Sequence, residues 1–259
     1  MKLPAEIQLV KYNQLDVLEI HHPKCTAKVA LQGAHLLSWQ PAHAKQDVLW
    51  LSEVEPFETG VAIRGGVPIC YPWFGGVKQP AHGTARINLW QLLETEVSAE
   101  QVNLTFAFGD QAKIRMALGE TCLLTFTHLG SEPAQLALHS YFNVANIEQV
   151  ALGNLPTSCF NSLTQQQHTV SSPRLIDQNV DEIYKAELSP TLIQDQGNQR
   201  EIQVEHLNAS DIVVWNPWHR EMSGMRKTGY HTMICVETAR IHRLLQQGES
   251  ISVRLHVNH

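Results

Sequence analysis

Three places in the chain carry side chains able to move protons or hold an anion. The first is the stretch from Ile63 to Trp90, IRGGVPICYPWFGGVKQPAHGTARINLW. It sets Arg64, His82 and Arg86 in a segment too broken by Gly and Pro for a helix and too aromatic for a solvated linker. Gly65 and Gly66 follow Arg64 directly, so the backbone can turn there at positive φ or come close to a ligand, while Pro68 and Pro72 stiffen the exit of the turn. Two guanidinium groups on such a mount can grip a carboxylate or a phosphate through bidentate hydrogen bonds. The plainer alternative is a surface loop whose arginines pair with nearby acids and whose Trp73, Phe74 and Trp90 fill the core.

The second place is Leu136–Val144. As a strand, its two-residue period puts Leu136, Leu138, Ser140 and Phe142 on one face and Ala137, His139, Tyr141 and Asn143 on the other. His139 then sits among hydrogen-bonding groups, either as a proton-transfer group or as a satisfied core histidine. The third place is Thr232–Ala239, where Glu237 ends a run of four apolar residues. Such an acid loses water, which raises its pKa unless a cation holds it ionised. It is either a base able to work near neutral pH or an acid leaving the sheet to pair with Arg240 or Arg243.

The elements that must position these groups read as short strands. Val102, Leu104, Phe106 and Phe108 alternate with Asn103, Thr105 and Ala107 before a Gly109-Asp110 turn; Cys122–Phe126 and Ile251–Val257 repeat the pattern. Asp47–Ser52 is a further apolar run of strand length, and only Ala239–Gln247, with Ile241, Leu244 and Leu245, carries helical spacing. Many strands, frequent turns and little helix predict an all-β, large antiparallel β-sandwich, with residues 1–259 as one domain.

Composition narrows the function classes. The net charge of −6 and a pI near 6.1 argue against a nucleic-acid or anionic-membrane surface. No run approaches a signal peptide or a membrane span, so a cytoplasmic protein is expected. The five cysteines are scattered without a C-x-x-C pair, and the 14 histidines show no metal-ligand spacing, so neither a disulfide framework nor a catalytic metal is expected.

In combination, these segments resemble a known family. Gly33-Ala34-His35, Asp47–Ser52, Ile63–Cys70, Pro72–Gly75, His82–Arg86, Leu138–Val144, Trp215-Asn216-Pro217 and Val236-Glu237-Thr238 follow in order the motifs of the hexose-6-phosphate mutarotases. These are also called glucose-6-phosphate 1-epimerases and belong to the galactose-mutarotase-like superfamily. The resemblance implies a β-supersandwich that interconverts the α and β anomers of a phosphorylated aldose without a cofactor. It makes His139 the general acid and Glu237 the general base, assigns Arg64 and Arg86 to the phosphorylated sugar, and places Asp181 and His82 in the sugar pocket. The chain departs from the family pattern in three places. Glu182 follows Asp181 where Arg is usual, Ala81 precedes His82 where Gln occurs, and the Phe108–Ile114 segment is short. The expected partner is a small phosphorylated sugar, with no nucleic acid, no membrane and, by default, a monomeric state. An epimerase for unphosphorylated sugars, needing no clamp, and a non-catalytic carbohydrate-binding sandwich are the competing readings.

Overall fold

The computed structural model describes residues 2–258, and among them every regular element longer than four residues is a β-strand. The strand Gln101–Phe108 shows why. Val102, Leu104 and Phe106 are fully buried, Asn103 and Thr105 stay partly exposed, and a tight turn returns the chain into Ala112–Gly119. Antiparallel pairing of such strands builds sheets of four, eight and nine strands. The nine-stranded sheet presents Phe106, Ile114, Phe126 and Val253 to a buried cluster, and the eight-stranded sheet meets them with Leu136, Leu138, Phe142, Val214 and Val236. Each such side chain removed from water contributes roughly 1.5–3 kcal/mol. The result is the expected antiparallel β-supersandwich.

The eight-stranded sheet positions the chemistry. Its order is Gln166–Thr169, Ser158–Asn161, Val180–Lys185, Asp211–Asn216, Met233–Leu245, Ala134–Leu138 and Ile69–Cys70, with Tyr141–Asn143 also pairing on Met233–Leu245. One face packs into the sandwich; the other carries Asp181, Trp215, Glu237 and His139. The alternation read for Leu136–Val144 holds, although the ladder breaks at His139 and Ser140 before resuming at Tyr141.

Two expectations are corrected. Ala239–Gln247 is not a helix; the strand continues to Leu245. Leu136 pairs with Arg240 but Ala134 with Leu245, so residues 241–244 form a bulge whose irregular apolar spacing imitates a helical period. The bulge is held from both sides. The buried Arg240 guanidinium donates to the carbonyls of Arg243 and Leu244, and the Asp211 carboxylate accepts the N–H groups of Ile241 and His242. The run Asp47–Ser52 is likewise not a ladder strand. It makes isolated bridges, Leu49 to Phe142 and Leu51 to Gly65, and thereby ties the Arg64 turn to the segment carrying Tyr141.

Candidate active site

A cavity of about 730 Å³ opens on the outer face of the eight-stranded sheet. Arg64, His82, Arg86, His139, Asp181 and Glu237, drawn from segments 173 residues apart at the extremes (237 − 64), all line it. Every candidate site residue therefore reaches one hollow, whereas Trp90 is buried in the core. His139 and Glu237 do not face each other across it. They lie side by side on one wall, His139 Nε2 3.3 Å from Glu237 Oε1.

Both groups are almost wholly buried, and each keeps an unpartnered polar atom: Glu237 Oε2 and His139 Nδ1 have no hydrogen-bond partner among the described residues. Buried polar atoms are normally satisfied, so orphans at a cavity wall mark places for a ligand. The imidazole is stacked on Tyr141, centroids 4.8 Å apart and planes 12° apart, and contacted edge-on by His82 and Trp215. Burial drives the His139 pKa well below its ordinary value, helped by His82 and Arg86. Burial drives the Glu237 pKa well above its ordinary value, with Asp181 acting in the same direction and Arg86 against it. Both shifts act toward the uncharged forms, a carboxylic acid at Glu237 and a neutral imidazole at His139. Neither Arg240 nor Arg243 pairs with Glu237; Arg240 binds Glu249 and Arg243 binds Asn208.

The arginine mount is built by backbone crowding. Gly65 sits at φ +120° and Gly66 at +61°, and a Cβ on either would lie 2.5 Å from Trp50 O or 2.2 Å from Leu36 O. The two glycines thus serve chain-to-chain approach rather than contact with a ligand. His35, fully buried, hydrogen-bonds the Gly65 carbonyl at 2.7 Å. Arg64 donates through Nε to Ser223 O (2.6 Å), in the loop that also brings Met222 to the cavity, and through Nη1 to Tyr141 OH (3.4 Å). Arg86 donates through Nη2 to Ala81 O (2.8 Å), and its buried Nε has no partner among the described residues. Among the described residues neither arginine makes a carboxylate ion pair, which is not what the surface-loop alternative requires.

His82 adopts a positive φ of 64°, unusual for a non-glycine residue and stabilised here by the following Gly83, packed against Tyr71 O, and by the Gly75 N–H donated to His82 Nδ1. Burial, Arg86 and Arg64 push its imidazole down to about 4. Asp181 pairs in register with Trp215; burial raises its carboxyl, opposed by Ser162 and Arg220. Its neighbour Glu182 points to the sheet's other face, where Arg174 (2.9 and 3.1 Å) and Tyr184 OH saturate its carboxylate. The Glu in place of Arg after Asp181 therefore does not touch the cavity. None of Phe108–Ile114 lines it either.

Trp215, Tyr141 and the bulge residues Ile241 and His242 also line the cavity; the sequence placed Tyr141 on the face of His139 but named none of the four as a pocket residue. Tyr141 was detectable from its period-2 relation to His139, and Trp215 from its motif; the bulge had no sequence signal of its own. No group of three or more His, Cys, Asp or Glu that could hold a metal ion occurs among the described residues, where no helix is long and apolar enough to cross a membrane.

Comparisons with known proteins agree with this layout. A family model described as aldose 1-epimerase matches residues 16–258. A Haemophilus influenzae protein named "Putative glucose-6-phosphate 1-epimerase" is 54% identical over 261 residues, covering 98% of this chain and 96% of that one. Among solved structures, the Salmonella typhimurium "putative mutarotase (YeaD)" superposes with a TM-score of 0.94 at 32% identity, covering 99% of this chain and 95% of that one. Galactose 1-epimerase from Lactobacillus acidophilus NCFM matches at a TM-score of 0.73 and 12% identity over 97% and 98% of the two chains, a likeness of fold.

Proposed function

The chain belongs to the aldose 1-epimerase family of isomerases, and on that premise we propose that it interconverts the α and β anomers of an aldohexose 6-phosphate such as glucose 6-phosphate. One observation carries the reading: a buried acid and imidazole 3.3 Å apart, each with an unmet polar atom, on the wall of a cavity that also holds two arginines free of carboxylates.

Ring opening needs a proton removed from the anomeric hydroxyl and another delivered to the ring oxygen. Both oxygens are bonded to the same carbon, so a base and an acid set side by side, as Glu237 and His139 are, can serve the two together. Glu237 takes the hydroxyl proton while protonated His139 gives one to the ring oxygen; the aldehyde turns about its C1–C2 bond, and closure reverses both transfers. Each positioned proton-transfer group contributes typically ~10²–10⁴-fold.

The productive pair, carboxylate and imidazolium, holds the same number of protons as the neutral pair favoured by the protein alone. Arg64 and Arg86 are among the groups that hold His139 neutral. Arg86 also favours the ionised form of Glu237, so a phosphate bound to the arginines shifts both groups in the same direction.

The test is NMR exchange spectroscopy on the anomeric protons of glucose 6-phosphate and of glucose, with and without the protein. Faster catalysed exchange of the phosphorylated sugar is expected. Equal catalysed rates reject phosphate selectivity, and binding without exchange rejects catalysis.

A further inference from the structure

Beside the catalytic cavity lies a second one of about 590 Å³, sharing Phe160, Ile183 and His242 with it. The two occupy one continuous sheet face. Phe160, Ile183, Val213 and Glu237 are register partners on four adjacent strands, a straight row leading from the groove to the proposed base. Two residues further along three of those strands, hence on the same face, comes the row Lys185, Asp211 and Ala239.

We infer that this groove is a second sugar subsite, placed so that the reducing end of an oligosaccharide enters the catalytic cavity while its next unit lies over Phe160 among Ser158, Gln167, Lys185, Glu187 and Arg243. The inference rests on the epimerase reading of the catalytic cavity. The lining mixes donors with acceptors around one aromatic ring, which suits a pyranose: its hydroxyls both give and take hydrogen bonds, and its C–H face packs on an aromatic side chain. An anion-selective site would instead be lined by cations alone.

The junction between the two cavities is a made feature. Asp211, 3% exposed, accepts the Ile241 and His242 N–H groups and the Ser210 hydroxyl, and contacts His242 Nδ1. With Nδ1 engaged, the ring turns its other nitrogen away from Asp211 at the point where the two cavities meet. A regular ladder would carry Ala134 opposite residue 242 rather than Leu245, and the bulge braced by Arg240 takes residues 241–244 out of that register.

The experiment is anomeric exchange measured by NMR on maltose, cellobiose and lactose against glucose, with glucose 6-phosphate as the control. It compares the parent protein with Gln167→Trp, an exposed edge-strand position outside the catalytic cavity that fills the groove, and with Lys185→Ala/Arg243→Ala. At least one disaccharide should show a kcat/KM about tenfold above that of glucose, the equivalent of one good stacking or hydrogen-bonding contact, and the variants should abolish this advantage. Exchange of glucose 6-phosphate should not change in the variants. If no disaccharide exceeds glucose, or if the advantage survives both variants, the subsite is refuted while glucose 6-phosphate turnover still stands. Loss of glucose 6-phosphate exchange in the parent with a groove-dependent disaccharide advantage refutes the phosphate reading and leaves the subsite.

Discussion

Glu182 and Glu237 are both buried glutamates of the eight-stranded sheet, and they are handled in opposite ways. Glu182 faces the sandwich side and is saturated, taking two donors from Arg174 and one from Tyr184. Glu237 faces the cavity, has His139 as a polar neighbour, and leaves Oε2 without a hydrogen-bond partner among the described residues. Desolvating a carboxylate is costly in both places, and only at Glu182 do partners offset it. Burial alone therefore does not distinguish the two acids; burial with unmet hydrogen-bonding capacity does.

The comparison can be broken most severely at Glu237 and His139. Glu237→Gln and His139→Ala should each lower kcat for glucose 6-phosphate by about 10²–10⁴-fold with the fold kept, as read by anomeric exchange and circular dichroism. Because the folded-state pKa of Glu237 is raised, its ionisation costs stability as pH rises through that value. Glu237→Gln should consequently be at least as stable as the parent at pH 8. A variant retaining parental kcat, or one that unfolds, would put Glu237 in the same class as Glu182.

Glu182→Gln should do the reverse. It leaves the Arg174 guanidinium, 7% exposed, without its counter-charge, and denaturant titration should show a loss of about 3 kcal/mol. Activity per folded molecule should be unchanged. A drop in kcat at constant stability would show that the two sheet faces are coupled. Arg64→Ala and Arg86→Ala should raise KM for glucose 6-phosphate roughly 10- to 100-fold, the worth of charge-assisted hydrogen bonds, with little effect on unphosphorylated glucose. An unchanged KM in either variant would remove that arginine from the clamp.

The remaining effect is in pH. Burial lowers His35 and His82 to about 4 and His206 to about 3, so the unfolded chain binds more protons than the folded one below the ordinary value of 6.5. Stability from these groups is fully present above pH 6.5 and is lost as pH falls toward 4, by at most about 1.4 kcal/mol per pH unit for each histidine. Denaturant titrations between pH 7 and 4 should show that slope. His35→Gln, which keeps a side-chain donor and removes the titration, should flatten it by one proton; an unaltered slope would place the linkage elsewhere.

Much of this layout was legible before folding. His139 and Tyr141 share a face because strand side chains alternate, and that inference survived the break in the ladder between them. Glu237 was recognisable as a desolvated acid from the apolar run before it. The helical reading of Ala239–Gln247 failed because a bulge inserts residues into a two-residue period, and its braces, Asp211 and Arg240, act through contacts that periodicity does not register. The two glycines after Arg64 were seen to need freedom, but not what for; Trp50 and Leu36, which crowd them, come from other strands and loops.

Local patterning therefore determined the class of fold, the faces of the strands and the residue types able to do acid–base chemistry, since these depend on neighbours along the chain and on side-chain period. The tertiary structure alone decided that Glu237 stands beside His139 rather than opposite it, which glutamate is satisfied and which is not, and that a second groove joins the first at His242. Those facts turn on strand register across the sheet, set by the joint packing of residues far apart in the chain.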